Sequence, residues 1–248
     1  MALQFRDYLS ILDTERFGFL VAKFDQIPEN LPDFIHELKI NDVELCIARI
    51  TLTEMRCLHL LEEYGFRIMD IQTTYRYLIG ESLPSLVFNN VWNIRKAEPS
   101  DNEELVRLAK MSFSDYGHYA ADARLPVDKV GEIYGDWARR SLEDKNVADI
   151  IFIAEDKSNV IGFLTFKIWE DKGIKYAAGG LGCVDSHYRG KNVFPLLVLE
   201  GLRWGQSKGL AWEEHNVLIN NYSVNNSIAK IGFKIYKSFA TLHLWLRH

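Results

Sequence analysis

The order of hydrophobic patterns from residue 91 onward constrains the fold of this chain more than any other feature. Strand-like runs and amphipathic helical runs follow one another there in the order β-α-α-β-β-β-α-β-α-β-β. Lys157-Ser158-Asn159 and Asp171-Lys172-Gly173 supply the turns between the three consecutive strands. This order predicts an α/β domain.

The individual elements of this region follow from the same patterns. Ser100 and Glu103 form a capping-box signature at the start of the first helix, and Gly209 and Gly232 end the last two helices. The predicted elements are strands over Val91–Ala97, Ile150–Glu155, Val160–Glu170, Ile174–Val184 and Trp212–Ile219, helices over Ser100–Met111, Asp128–Leu142, Val193–Lys208 and Ser223–Lys230, and two final strands within Phe233–Leu246.

A smaller α/β domain is predicted over residues 1–80. Its predicted elements are strands over Phe17–Phe24, Val43–Ile50 and Phe66–Ile79 and helices over Leu31–Lys39 and Glu54–Tyr64. The turn-rich stretch that begins at Gly80 predicts a linker over residues 81–90, and the second domain then covers residues 91–248.

A short internal repeat relates the two predicted domains. The segment Leu61–Ile68 resembles Ile228–Ile235, since in both a helix ends at glycine and a phenylalanine begins a strand. Two interpretations stay open at this point. Any helix-to-strand turn can produce this likeness, or the first domain is a truncated relative of the second.

Charge and cysteine content exclude several classes of protein. The chain has 29 Lys+Arg and 34 Asp+Glu, a formal net charge of −5, so no general affinity for nucleic acid or an anionic membrane is expected. Cys46, Cys57 and Cys183 lie in apolar runs, which predicts reduced core thiols and no metal site. No apolar run approaches the ~18 residues of a membrane span, and the charged start of the sequence lacks a signal-peptide pattern. We therefore expect a cytoplasmic protein.

Two motifs carry a resemblance to a known superfamily. The first is Val184-Asp185-Ser186-His187-Tyr188-Arg189-Gly190-Lys191, directly before a helix. The second is Asn221-x-x-Val224-x-x-Ser227-Ile228-x-x-Ile231-Gly232-Phe233. With the element order, they resemble the GCN5-related N-acetyltransferases (GNAT) over residues 91–248. The resemblance implies a mixed, mostly antiparallel sheet flanked by helices, preceded by a smaller domain resembling a partial GNAT. It also implies direct acetyl transfer from acetyl-CoA to an amine.

The loop Arg189–Phe194 predicts the acetyl-CoA site. It precedes a helix, so its backbone N–H groups and the helix dipole favour a pyrophosphate. The alternative is a basic turn before a buried helix. The family has small residues where this chain has Asn192 and Phe194, a departure that bears on CoA affinity. By resemblance, the predicted cofactor-binding residues are Cys183, Val184, Arg189, Gly190, Lys191, Asn192, Val193 and Asn221.

A second departure concerns the general acid. The resemblance places the family's acidic tyrosine at Ile228, which has no proton to donate. Tyr222 is the predicted substitute, and Ser227 is the other candidate. Loss of the thiolate without a protein acid stays open, because the pKa of a thiol is not far above neutrality. Cys183 is interpreted as a core thiol and not as a nucleophile.

Candidates for the general base are His118 and Glu214. His118 has a suitable ordinary pKa and follows the first helix of the second domain. Glu214 lies beside Glu213 on a predicted central strand, where only one of the two can face a cleft. Asp185 and His215 are further candidates, and a water chain is the alternative to all of them.

Within the superfamily, the chain is most similar to the TDP-fucosamine (dTDP-4-amino-4,6-dideoxygalactose) N-acetyltransferases. The residues that carry this likeness are Asp13–Gly18, Ser112–Tyr119 and Tyr134-x-x-Trp137. It implies that the acceptor is a nucleotide-linked amino sugar. The predicted substrate-binding residues are Tyr119, Asp122, Arg124, Tyr134 and Trp137. Core packing is the alternative for Tyr134 and Trp137, and a solvated loop for Asp122 and Arg124.

Two other functions compete with this prediction, and a longer acyl donor is a third alternative, with the apolar Ile228 and Phe194 shaping an acyl pocket. The same fold acetylates other small amines and peptides. The departures at Asn192, Phe194 and Ile228 also fit a non-catalytic domain that binds acyl-CoA or a partner. The paired Gly-Phe strands leave two arrangements open: the two domains extend one sheet, or they pack through a homodimer.

Overall fold

The structure is a computed structural model that describes residues 5–84 and 92–247. Its helices are α1 (Ile11–Phe17), α2 (Leu31–Ile40), α3 (Met55–Glu63), α4 (Asn102–Phe113), α5 (Gly117–Ala121), α6 (Val127–Glu143), α7 (Val193–Ser207) and α8 (Tyr222–Ile231). Its strands are β1 (Val21–Phe24), β2 (Leu45–Thr51), β3 (Arg67–Leu78), β4 (Asn93–Lys96), β5 (Ile150–Asp156), β6 (Asn159–Asp171), β7 (Ile174–Val184), β8 (Trp212–Leu218) and β9 (Lys234–Trp245).

The described residues form two compact units. The smaller unit consists of the described residues within Met1–Gln72, Gly117–Lys129 and Lys237–His248. The larger unit consists of those within Thr73–Tyr116 and Val130–Tyr236. Two segments of the smaller unit therefore come from the range predicted for the second domain. The predicted boundaries stay a prediction, and residues 85–91, which include most of the predicted linker and Val91, lie outside the described residues.

In the smaller unit, β2 lies between two other strands. It pairs in parallel with β1 and antiparallel with β9, in a register that runs from Leu45 opposite Trp245 to Thr51 opposite Phe239. One face of these strands packs with α2 and α3 to form a core. Fully buried members of this core include Leu38, Cys46, Leu61 and Leu242.

The strand predicted over Phe17–Phe24 is wrong in its first half. The Ser10 side chain accepts a hydrogen bond from the Asp13 N–H and begins α1. Gly18 then ends the helix in the left-handed conformation, with φ of 79°. Only Val21–Phe24 forms a strand, because local capping overrides the strand propensity of Phe17 and Phe19.

In the larger unit, the strand order is β3-β8-β7-β6-β5-β4. The pairs β4–β5, β5–β6 and β6–β7 are antiparallel, whereas β7 and β8 are parallel. Helices α7 and α8 cover one face of this sheet through a core that includes Phe166, Leu197, Leu202, Ile228 and Phe233. The predicted α/β class with a mixed, mostly antiparallel sheet is confirmed.

Two local predictions in the second part of the chain are wrong, and one helix was not predicted. The capping box forms between Glu98 and Asp101, because a short 3-10 helix (Pro99–Asp101) precedes α4; Ser100 and Glu103 do not form it. The sequence analysis missed α5. The two final strands are one continuous strand, β9, whose residues include no Gly, Pro, Asn or Asp that would turn the chain.

The two copies of the internal repeat share a local structure. Gly65 and Gly232 follow α3 and α8 with φ of 87° and 110°, a conformation that favours glycine. The next residues, Phe66 and Phe233, are buried in the cores of the two units. This common structure supports the view that the first domain resembles part of the second.

Candidate functional site

The larger unit contains a cleft where two parallel strands separate. The pairing of β7 with β8 ends at Gly179 opposite His215. Beyond that point Gly182, Cys183 and Val184 of β7 and Leu218 of β8 line a cleft of about 700 Å³. The carboxyl ends of parallel strands in open α/β sheets are common ligand sites.

Three further segments complete the walls of the cleft. They are the loop before α7 with the first turn of that helix, α8 with the residues before it, and the end of α4. Their lining residues are Tyr188, Arg189, Gly190, Asn192, Val193, Phe194, Pro195, Asn220, Asn221, Ser223, Val224, Asn226, Ser227, Lys230, Ser112, Phe113, Asp115 and Tyr116.

The first turn of α7 offers the cleft an anion-binding surface. Asn192 occupies the N-cap position with φ of 64°, and its side chain makes no capping hydrogen bond. The first intrahelical bond runs from the Leu196 N–H to the Asn192 carbonyl, so the N–H groups of Val193 and Phe194 precede the regular helical pattern. The helix dipole adds partial positive charge, and Arg189 and Lys230 add full charges. This wall suits phosphate groups.

Side-chain hydrogen bonds fix the loop that leads into α7. The Tyr188 hydroxyl donates to Oδ2 of Asp156 at 2.8 Å, and the Trp92 indole donates to the Lys191 carbonyl at 2.9 Å. The His187 N–H donates to Asp185, and this bond holds the pKa of that carboxyl below its ordinary value. These hydrogen bonds anchor the loop to neighbouring parts of the larger unit.

Seven of the eight predicted cofactor-binding residues line the cleft. The exception is Lys191, whose ammonium lies 5.0 Å from the centre of the Tyr188 ring. Asn221 both lines the cleft and caps α8, since its side chain accepts a hydrogen bond from the Val224 N–H at 3.3 Å. Both interpretations of Asn221 are therefore compatible with the structure.

The sequence analysis missed several lining residues of α8. Ser223, Asn226 and Lys230 follow one another at spacings of three and four residues, which place them on one face of a helix. This polar spacing beside the predicted Asn221 was the signal available in the sequence. Ser112 and Tyr116 also line the cleft, and they lie in the segment Ser112–Tyr119 that carried the family likeness, although neither was predicted as a site residue.

Cys183 lines the cleft as a neutral thiol. Burial raises its pKa to about 12. A thiol with this pKa is protonated at neutral pH, and the thiolate is the nucleophilic form. The structure thus agrees with the interpretation of Cys183 as a core thiol.

The structure does not bring the predicted acid or the predicted strand base into the cleft. Tyr222 is 73% exposed at the start of α8 and is not among the lining residues, and Ile228 is fully buried. Ser227 does line the cleft, and its hydroxyl donates to the Ser223 carbonyl. Glu214 pairs with Arg76, whose Nε lies 2.6 Å from its carboxylate.

The neighbours of Glu214 on β8 form a buried pair on the opposite face of the strand. Glu213 is fully buried, and its Oε1 lies 2.7 Å from Nε2 of His215. Burial raises the pKa of Glu213. This pair belongs to the core beneath α7, so neither of the two adjacent glutamates lines the cleft.

The predicted aromatic residues of α6 lie in a cluster that reaches the cleft. The Tyr134 ring stacks on Phe113 with a centroid distance of 4.7 Å, and Trp137 lies 6.3 Å from Tyr134. Phe113 and Tyr116 in turn line the cleft. Tyr134 also donates to the Tyr116 carbonyl at 3.3 Å. The packing interpretation of Tyr134 is therefore correct, and Trp137 remains partly exposed.

The other predicted residues, His118, Tyr119, Asp122 and Arg124, belong to the smaller unit. Nδ1 of His118 lies 2.9 Å from Nε2 of His243, whose Nδ1 lies 2.7 Å from Asp122. Asp122 also accepts from the Arg124 N–H at 3.0 Å. The Tyr119 hydroxyl donates to a buried carboxylate, Asp13, at 2.6 Å. His118, Tyr119 and Asp122 belong to buried polar networks, so the solvated-loop interpretation of Asp122 is wrong. Arg124 is exposed, as that interpretation expects, and its side chain donates to the Arg247 carbonyl at 2.7 Å.

We expect His118 to make folding less favourable in acid. Burial, followed by the charges of His243, Lys23 and Arg49, holds its pKa well below the ordinary value. The unfolded chain binds a proton at this side chain near pH 6.5, and the folded chain does not, so stability falls as the pH decreases below that value. Urea unfolding should show a loss of about 1.4 kcal/mol from this residue between pH 7.5 and 5.5.

His118→Gln should remove this part of the pH dependence. His59→Gln, at an exposed position on α3, is the matched control and should retain it. Equal pH profiles for the two variants would contradict the assignment.

Comparison with known proteins gives the fold but no relative close in sequence. No family model and no curated protein matches the chain. Among solved structures, a tandem GNAT protein from the clavulanic acid biosynthesis pathway matches with a TM-score of 0.62 and 12% identity, over 92% of this chain and 76% of that chain. The chain has the GNAT fold.

Two further acetyltransferase structures support this fold. A GCN5-related N-acetyltransferase from Kribbella flavida has a TM-score of 0.60 and 11% identity, with 90% of this chain and 80% of that chain covered. One from Sphaerobacter thermophilus has a TM-score of 0.58 and 13% identity, with 88% of this chain covered. The match spans 66% of that protein, just under two thirds of its length. The tandem GNAT likeness agrees with the predicted partial GNAT in front of the second domain.

Residues 5–84 and 92–247 lack two kinds of feature. No helix there has the length and apolar character that crossing a membrane requires. No group of three or more His, Cys, Asp or Glu side chains in this part of the chain is arranged to hold a metal ion.

Proposed function

We propose that this protein is an N-acetyltransferase that transfers an acetyl group from acetyl-CoA to an amine. The observation that carries the proposal is the uncapped first turn of α7, which meets Arg189 and Lys230 in one cleft at the separation of β7 and β8. The GNAT fold supports the same function, because it places this cleft in a scaffold shared with acetyltransferases.

Different residues of the cleft bind different parts of acetyl-CoA. The N–H groups of the first turn of α7 and the Arg189 side chain bind the pyrophosphate. Asn221 binds the pantetheine arm. The backbone of Cys183 and Val184 supplies donors for the thioester oxygen, as an oxyanion hole does. When bound, acetyl-CoA supplies the acyl group and a thiol leaving group.

We further propose a nucleotide-linked amino sugar as the acceptor. The resemblance of Ser112–Tyr119 and Tyr134-x-x-Trp137 to the TDP-fucosamine N-acetyltransferases supports this choice. Trp137, which is 36% exposed beside the aromatic cluster of Phe113 and Tyr134, also offers a flat surface for a sugar or a base. Other small amines and peptides are the competing acceptors.

A specific observation favours a second function, the binding of acyl-CoA without catalysis. Ile228 is fully buried, and Tyr222 is 73% exposed outside the cleft. Neither can serve there as the acid that protonates the departing thiolate. In this alternative, the cleft binds acetyl-CoA and no amine is acetylated.

One experiment in two steps separates these functions. Calorimetric titration of the full chain with acetyl-CoA should show binding at micromolar to sub-millimolar concentrations. Release of CoA should then be measured with dTDP- and UDP-linked amino sugars, polyamines and peptides. Binding with turnover only of nucleotide-linked amino sugars supports the full proposal. Turnover of a different amine would identify that amine as the acceptor instead. Binding without turnover supports the second function, and absence of binding to folded protein overturns both.

A further inference from the structure

The larger unit has a second concave site, which we call the lysine groove. It has a volume of about 550 Å³, and its lining includes Lys96, Lys145, Lys208, Ser141, Ile168 and Trp204. It lies where α6 and α7 end, whereas the cleft described above lies at the start of α7. A helix of 15 residues is about 22 Å long, so one helix separates the two sites.

The lysine groove carries positive charge that the described residues leave uncompensated. The ammonium groups of Lys96 and Lys208 have no hydrogen bond or ion pair within residues 5–84 and 92–247. Among the described residues, Lys145 donates only to the Asp149 carbonyl, at 3.2 Å. Asp149 also lines the groove, but its carboxylate is already bound to Lys167 at 3.3 Å and to the Ile168 N–H at 2.7 Å. Like charges around one groove favour an anionic ligand.

The ends of α6 and α7 explain only part of this charge. Lys145 and Lys208 lie just beyond the two helices, where cations offset the partial negative charge of helix carboxyl ends. Lys96, at the end of β4, brings a third positive charge to the same groove. Three ammonium charges exceed the partial charge of about −0.5 that each of the two helix ends carries.

A buried hydroxyl that lines the groove also points to a ligand. Ser141 is 2% exposed, and its Oγ has no hydrogen-bond partner within the described part of the chain. A buried polar group without a partner is costly, and a ligand oxygen in the groove would pair with it. The walls formed by Ile150, Ile168 and Trp204 are apolar. The ligand thus needs both an acidic group and an apolar portion.

We propose that the lysine groove is a second small-molecule site, which binds an organic anion that joins a carboxylate or a phosphate to an apolar portion. Lys96 and Lys208 bind the acidic group, Ser141 donates to one of its oxygens, and the apolar portion packs against Ile168 and Trp204. This site is separate from the cleft, and its occupation does not depend on the proposed acetyl transfer.

Calorimetric titration of the full chain with model anions tests the proposal. Phenyl phosphate and phenylacetate carry both parts of the expected ligand, with different acidic groups. Inorganic phosphate and benzyl alcohol each carry one part. Phenyl phosphate, phenylacetate or both should bind at least tenfold more tightly than either partial probe. The tighter of the two compounds shows whether the site prefers a phosphate or a carboxylate. Equal binding of partial and complete probes, or no binding, overturns the proposal.

Variants then assign the binding to the groove. Lys96→Gln/Lys208→Gln should weaken binding of the better probe at least tenfold, and Ser141→Ala several-fold with no loss of thermal stability. Lys172→Gln/Lys175→Gln, which removes two exposed charges at the β6–β7 turn, should leave the affinity for this probe unchanged. Arg189→Gln/Lys230→Gln should also leave it unchanged, because these residues line the other cleft. Loss of binding in either of the last two variants overturns the assignment.

Discussion

Replacement of Arg189 and Lys230 by glutamine is expected to weaken acetyl-CoA binding about 100-fold. Both cations line the cleft that contains the uncapped first turn of α7. A hydrogen bond to a charged group contributes about 1.5–3 kcal/mol, and partial exposure to solvent reduces this value. Two such bonds at the lower end give about 3 kcal/mol, which corresponds to about two factors of ten in the dissociation constant. Calorimetric titration of the full chain with acetyl-CoA measures this change in the dissociation constant.

The control for this prediction has the same change in charge. Lys172→Gln/Lys175→Gln removes two positive charges from exposed positions at the β6–β7 turn. It should change the dissociation constant less than threefold, because exposed charges beyond a Debye length are screened. Equal losses in both double variants would mean that net charge, and not the wall of the cleft, determines affinity.

The position of the cleft could be predicted from the sequence because its main parts are local. Arg189, Gly190 and Asn192 lie within four consecutive positions that lead directly into α7, so one motif places them together. Asn221 caps α8 through a bond to a residue only three positions away. Contacts between residues a few positions apart can be inferred from the order of residue types. The periodicity of apolar residues predicts the helices and strands in the same way.

The placement of the predicted base and acceptor residues could not be derived in the same way. His118 and Asp122 are held by His243, which lies more than 100 positions away on β9. Glu214 is held by Arg76, 138 positions before it. Alternation along β8 predicted that Glu213 and Glu214 face opposite sides, but not which partners each side would provide. A single sequence gives no signal for contacts between segments so far apart.

The largest effect on stability is expected from Gly179→Ala. Gly179 is the last residue of β7 that pairs with β8, and it lies opposite His215. A Cβ atom at this position would lie 2.1 Å from Nδ1 and 2.2 Å from Cε1 of the buried His215 ring. The ring would have to move and break its bond to Glu213, leaving a buried carboxyl without a partner. Overpacking and the lost bond together should cost about 3–5 kcal/mol in urea unfolding.

Two variants make this prediction specific to the His215 ring. Gly80→Ala is the matched control, because a Cβ atom there has no neighbour within 4 Å and the free energy of unfolding should change by less than about 1 kcal/mol. In the second, His215→Ala removes the ring that the new methyl group meets. Gly179→Ala should then cost much less in the His215→Ala background than in the native chain, since residues in contact are not additive. Full additivity would show that the loss arises from the backbone of β7, and the steric argument at the strand separation would be wrong.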